Sequence, residues 1–142
     1  MHQGGGRVTL DYQNLAYAIT QIVHNFGALT VVGCSVYAFL CRDAQVQRQL
    51  ARPVLAGWLV QAASGAAFGG ISYYYYASFP DIHGIAVAAL DVKIICAVLG
   101  SALAVWLLRA RSTDASRRYS WLTMCGMGVL ALSSAAVLRW FS

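Results

Sequence analysis

LAYAITQIVHNFGALTVVGCSVYAFL, residues 15–40, decides the fold. The run contains no Asp, Glu, Lys or Arg. It exceeds the roughly 20 apolar residues needed to cross a hydrocarbon layer about 30 Å thick. It is also longer than the 7–15 residues or so of a signal-peptide core, and no A-x-A-like cleavage site follows it. Three further runs of comparable length follow, at 54–76, 84–108 and 119–141. In hydrocarbon a backbone must satisfy its own polar groups, which makes each run a helix. The expected fold is therefore all-α, an integral membrane four-helix up-down bundle occupying residues 1–142 as one transmembrane domain.

Composition agrees with this. Of 142 residues, 59% are hydrophobic and only 11% charged, where a soluble domain carries about a quarter charged residues. The net charge of +5 is concentrated in two connections. Arg42, Arg48 and Arg52 follow the first run, and Arg109, Arg111, Arg117 and Arg118 follow the third. Such clustering is the positive-inside signal and does not indicate nucleic-acid binding. It predicts both connections in the cytoplasm and both termini outside, in the periplasm, for a multi-pass protein of the cell inner membrane. Contact with anionic lipid is a secondary role for these arginines.

The aromatic residues divide into two expected belts. Tyr73 to Tyr76, with Tyr12, Tyr17, Trp140 and Phe141, fall at the outer ends of the runs; Trp58, Trp106, Tyr119 and Trp121 fall at the inner ends. Pro53 is expected in the first turn of the second span, where its missing N–H is harmless. Residues 42–52 could form a short amphipathic turn at the inner surface. Cys34, Cys41, Cys96 and Cys125 form no C-x-x-C pair and read as small packing residues.

Helical spacing sorts the faces. In the first span Thr20, Gln21, His24, Gly27, Ala28, Val31, Ser35 and Ala38 share a small, polar face. Ile19, Ile22, Phe26, Leu29 and Val36 make a bulky one. Small residues let membrane helices approach closely, so His24 faces inward. In the third span Lys93 shares a face with Ala86, Ala89, Cys96, Ala97, Gly100 and Ala104. His24 and Lys93 both fall about 13–14 Å below the outer boundary. The second span adds Gln61 and Ser64, and a Gly65–Gly69 motif expected to pack closely; Ser133 and Ser134 extend a polar layer into the fourth. Asp91 projects from nearly the opposite side to Lys93, beside Val87, Ile94, Ile95 and Val98. A carboxylate there calls for a partner subunit or for water.

Ionisable groups inside a membrane mark functional sites, and four readings of His24 stay open. It can be an interhelical hydrogen-bonding group in a cofactor-free accessory subunit. It can ligate the iron of haem b, with Gly27 and Ala28 leaving room for the macrocycle and Lys93 as a charged companion. A copper site with His83, Asp81 and His2 is weakly signalled. Quinone binding or a proton relay through His24, Asp91 and Lys93 is the fourth.

A first-span His followed by Gly, with a third-span Lys inside D-V-K-I-I-C (residues 91–96), resembles four-helix membrane proteins of the CopD and HemJ-like group. The resemblance covers the whole chain in length and topology. It implies two possible activities: copper-related membrane function, or the haem-dependent protoporphyrinogen oxidase of the HemJ type. In that type a first-span His and a later Lys are the functional residues, and the matching positions here are His24 and Lys93. The HemJ type carries a Trp and an aromatic, Leu- and Arg-rich stretch after its His, whereas this chain reads HNFGALTVVG at 24–33. The combined expectation is a small membrane subunit of a redox or electron-transport complex, working with other membrane subunits.

Overall fold

The computed structural model describes residues 11–78, 84–109 and 113–141. They form four helices: α1 (Tyr12–Leu40), α2 (Ala44–Tyr76), α3 (Ile85–Arg109) and α4 (Asp114–Phe141). All four are long and apolar enough to cross a membrane. Connections this short beside helices roughly 40 Å long force antiparallel neighbours. Hydrogen bonds at both ends of the α1–α2 pair agree: Gln13 reaches Tyr76 at one end, and Gln47 reaches the Ala38 carbonyl at the other. Each helix packs on its chain neighbours, and α4 closes the ring against α1.

Capping explains where the helices start. Asp11 accepts from the amides of Gln13 and Asn14, and Asp43 accepts from those of Gln45 and Val46 at 2.7 and 3.1 Å. Each satisfies amides that the first turn leaves without an intrahelical partner. The Asp43 cap has a further consequence. Residues 44–52 are good helix formers, so they continue directly into the second span. Pro53 consequently lies well inside α2, not in its first turn. Lacking an N–H, it leaves the Gln49 carbonyl without its helical donor. At the far end α2 stops on Ala77, whose φ of 53° is left-handed.

Burial is inverted relative to a soluble bundle. Ala38, Ala51, Ala86 and Ala104 are fully buried, while Ile22, Phe26, Leu29, Ile95 and Val98 are more than half exposed. So much bulky apolar surface exceeds the few hundred Å² that a soluble monomer leaves uncovered. Small residues inside and bulky ones outside is the pattern of helices packed in lipid. The faces read from spacing hold except at Gln21, which is exposed: His24, Gly27, Val31, Ser35 and Ala38 are buried on α1, and Ala86, Ala89, Cys96, Gly100 and Ala104 on α3.

Two expectations about packing are corrected. Trp58 and Trp121 are 2% and 0% exposed, so they are core, not belt; Trp106 and Tyr119 are exposed as expected. The Trp58 indole sits over Gly100 of α3 and donates to Met124 Sδ of α4 at 3.2 Å. Its large ring fills the space that small residues leave around it. Gly65 meets nothing within 4 Å and faces outward with Ala66 and Ala67. The close helix approach lies instead at Gly27 and Gly57. A Cβ on Gly27 would meet Val60 Cγ1 at 2.9 Å, and one on Gly57 would meet the Gly27 carbonyl at 3.0 Å.

Candidate functional site

The Gly27–Gly57 crossing brings the α1 and α2 backbones together one turn from His24, within reach of short polar side chains of α2. His24, 8% exposed, places Nδ1 2.8 Å from Ser64 Oγ. Gln61 Nε2 donates to the His24 backbone carbonyl. Gln61 and Ser64, three residues apart on one helix face, thus hold both the ring and the backbone of His24.

The tautomer follows from donor arithmetic. The Ser64 hydroxyl has one hydrogen, and its best acceptor is the Val60 carbonyl at 2.6 Å. Ser64 Oγ therefore accepts from His24 Nδ1–H, and His24 Nε2 keeps its lone pair. Nε2 makes no hydrogen bond among the described residues. The Phe68 ring meets the imidazole edge-on at a centroid distance of 6.0 Å, and Tyr17 stacks on Phe68 at 6.2 Å. These aromatics restrain the ring on its outer side.

Lys93 is half-buried on α3, and no hydrogen bond joins it to His24 among the described residues. Lys93 makes no hydrogen bond or ion pair among the described residues. Asp91 is not part of this cluster. It is exposed, on the α3 face that carries Val87, Ile94, Ile95 and Val98. His83, Asp81 and His2, the other donors considered for a metal, lie outside the described residues. Among the described residues no three His, Cys, Asp or Glu side chains come together as a metal site.

The polar layer does not continue into α4. Ser133 and Ser134 turn their hydroxyls back to the carbonyls of Val129 and Leu130. The α4 residues that line the cavity beside His24 are Gly128, Ala131, Leu132 and Ala135. That cavity measures about 80 Å³, against roughly 300–1,000 Å³ for sites that enclose drug-sized ligands. The space expected beside Gly27 for a macrocycle is occupied by Val60 and Gln61. The imidazole suits a metal, with Nδ1–H anchored and Nε2 free, but this cavity does not hold a haem.

Spacing identified Gln61 and Ser64 as inward residues without linking them to His24. The link required the offset of α2 against α1, which the Gly27–Gly57 contact sets. Gln47 was missed altogether. It is buried and donates to the carbonyls of Ala38 and Cys41 at 2.9 and 2.8 Å, pinning the end of α1 to the start of α2. Its position in a charged, connection-like stretch gave no signal of this. No family model, curated protein or solved structure matches the chain.

Proposed function

We propose that the chain is a small multi-pass subunit of a larger membrane complex, in which His24 joins α1 to α2 and the outer face of α3 meets a partner subunit. The observation that carries this reading is Asp91. It lies about 9 Å along α3 from Ile85, exposed among Val87, Ile94, Ile95 and Val98. A carboxylate at the centre of a lipid-facing helix costs about 2.5–3.5 kcal/mol on insertion scales, and less towards the helix end; a partner's cation or hydrogen-bond donor removes that cost. The uncovered Gly65 on α2 adds a surface on which another helix can approach closely. By the positive-inside rule the basic connections lie in the cytoplasm and both termini outside, in the inner membrane.

The test is native electrophoresis of the full chain extracted from its own membranes in mild detergent. The wild type is expected in a complex well above its 15.3 kDa mass, with Asp91→Asn weakening that complex and Leu29→Val, on the exposed face of α1, leaving it intact. A wild-type chain that runs as a monodisperse monomer would overturn the proposal.

A second reading, haem b ligation by His24 in a redox or electron-transport complex, is favoured by the free Nε2 and by the resemblance to the CopD and HemJ-like group. Haem supplies one-electron chemistry when bound. In this reading His24 would offer Nε2, Ser64 would fix the ring through Nδ1, and Lys93 would be the nearby cation. The cavity of about 80 Å³ is too small for the macrocycle, so residues of another subunit would have to complete the site. HemJ-like protoporphyrinogen oxidation would depend on the same ligand. The oxidised and dithionite-reduced absorption spectra of the protein isolated with its partners decide it. A Soret band lost in His24→Ala supports it, and absence of the band leaves the cofactor-free subunit.

A further inference from the structure

At the end of the bundle remote from His24's half, α1 stops and α4 begins beside each other. Between them lies an open cavity of about 870 Å³, within the range of ligand-sized sites. Two arginines line it. Arg42 makes no hydrogen bond or ion pair among the described residues, and Arg118 only rests over the Phe39 ring, 5.3 Å from its centroid. The one carboxylate in the lining, Asp114, is engaged by Arg117. The cavity therefore carries uncompensated positive charge, and the start of α4 adds the partial positive charge of a helix N-terminus.

The remaining wall is apolar and continuous with the outer surface. Leu40, Tyr119 and Leu122 line the cavity and are 71%, 72% and 51% exposed. Its floor is held in place, because buried Gln47 ties together the carbonyls that end α1. Guanidinium groups suit phosphate oxygens, which they bind in bidentate fashion. A free phosphate needs no apolar wall, whereas a phospholipid needs both the cationic end and a greasy track beside it. Basic pockets between membrane helices at the cytoplasmic end are where anionic headgroups bind.

We infer that the groove between the end of α1 and the start of α4 is a binding site for one anionic phospholipid. The phosphate lies between Arg42 and Arg118, and an acyl chain runs along Leu40 and Leu122. The site is separate from His24 and stands whether or not that residue meets a cofactor.

The test is native mass spectrometry of the full chain in detergent micelles, titrated with phosphatidylglycerol or phosphatidylcholine of identical acyl chains. The wild type is expected to retain one phosphatidylglycerol in preference to phosphatidylcholine. Arg42→Gln and Arg118→Gln should each weaken that retention about tenfold, the loss of one charge-assisted contact. Arg52→Gln, a basic residue outside the groove, should leave it unchanged. Should either glutamine variant fail to fold, Arg42→Lys and Arg118→Lys keep the charge without the fork and should retain part of the preference. Leu122→Ser should lower phosphatidylglycerol retention and spare binding of glycerol phosphate. Equal loss in Arg52→Gln would show diffuse surface charge and overturn the site. Competition by glycerol phosphate as effective as that by the whole lipid would overturn the lipid assignment in favour of a soluble phosphate.

Discussion

Replacing Gly100 by alanine tests the packing at the centre of the bundle. A Cβ built there falls 2.5 Å from Trp58 Nε1 and 2.8 Å from Cζ2. Unstrained contact between heavy atoms needs about 3.5 Å, so the indole must retreat by about 1 Å. It has little freedom to do so. Trp58 is 2% exposed, and its Nε1 is engaged by Met124 Sδ. Overpacking of this kind costs about 1–3 kcal/mol. Alanine recovers about 0.8–1.0 kcal/mol of helix propensity, which leaves a net loss of about 0–2 kcal/mol against wild type and of about 1–3 kcal/mol against a glycine-to-alanine change without the clash. Gly65→Ala is the matched control: nothing lies within 4 Å of its new Cβ, so only the propensity gain applies. Equilibrium unfolding in mixed micelles, followed by far-ultraviolet circular dichroism, measures both. Trp58→Phe in the Gly100→Ala background should recover part of the loss, giving a coupling in the range of about 0.5–3 kcal/mol seen for contacting residues. Gly100→Ala as stable as Gly65→Ala would refute the contact.

Three further outcomes are expected. A double-mutant cycle between His24→Ala and Ser64→Ala should return a coupling of about 0.6 kcal/mol, the average for hydrogen bonds between membrane helices, and no more than about 1.7 kcal/mol; a coupling of zero would mean the pair is not formed. Ser35→Ala should stabilise by about 1 kcal/mol, because the Ser35 hydroxyl is fully buried with no hydrogen-bond partner and an unpaired hydroxyl is costly; a destabilised variant would reveal a bond at that position. Asp43→Ala should cost about 0.5–2 kcal/mol and speed amide exchange at Gln45 and Val46, whose N–H groups it caps. Unchanged exchange at those two amides would count against the cap.

Hydropathy and helical period, both local properties of the chain, determined a great deal about this protein by themselves. Residues 15–40 alone demanded a helix long and apolar enough to cross a membrane, and the alternation of small and bulky residues placed His24 inward, Asp91 outward and Lys93 on the buried side of α3. Equal offsets from the expected run ends put His24 and Lys93 at one depth, but α1 begins at Tyr12 and α3 at Ile85, so the two lie at unequal distances along their helices. Tertiary structure decided what those properties cannot encode: the rotation and axial offset of one helix against another. That offset made Gly27 and Gly57 the crossing point and left Gly65 uncovered. It gave His24 the hydroxyl of Ser64 rather than a serine of α4. It drew Trp58 and Trp121 from an expected surface belt into the core. It also opened the groove between Arg42 and Arg118, residues far apart in sequence whose shared site exists only because α4 closes the ring against α1.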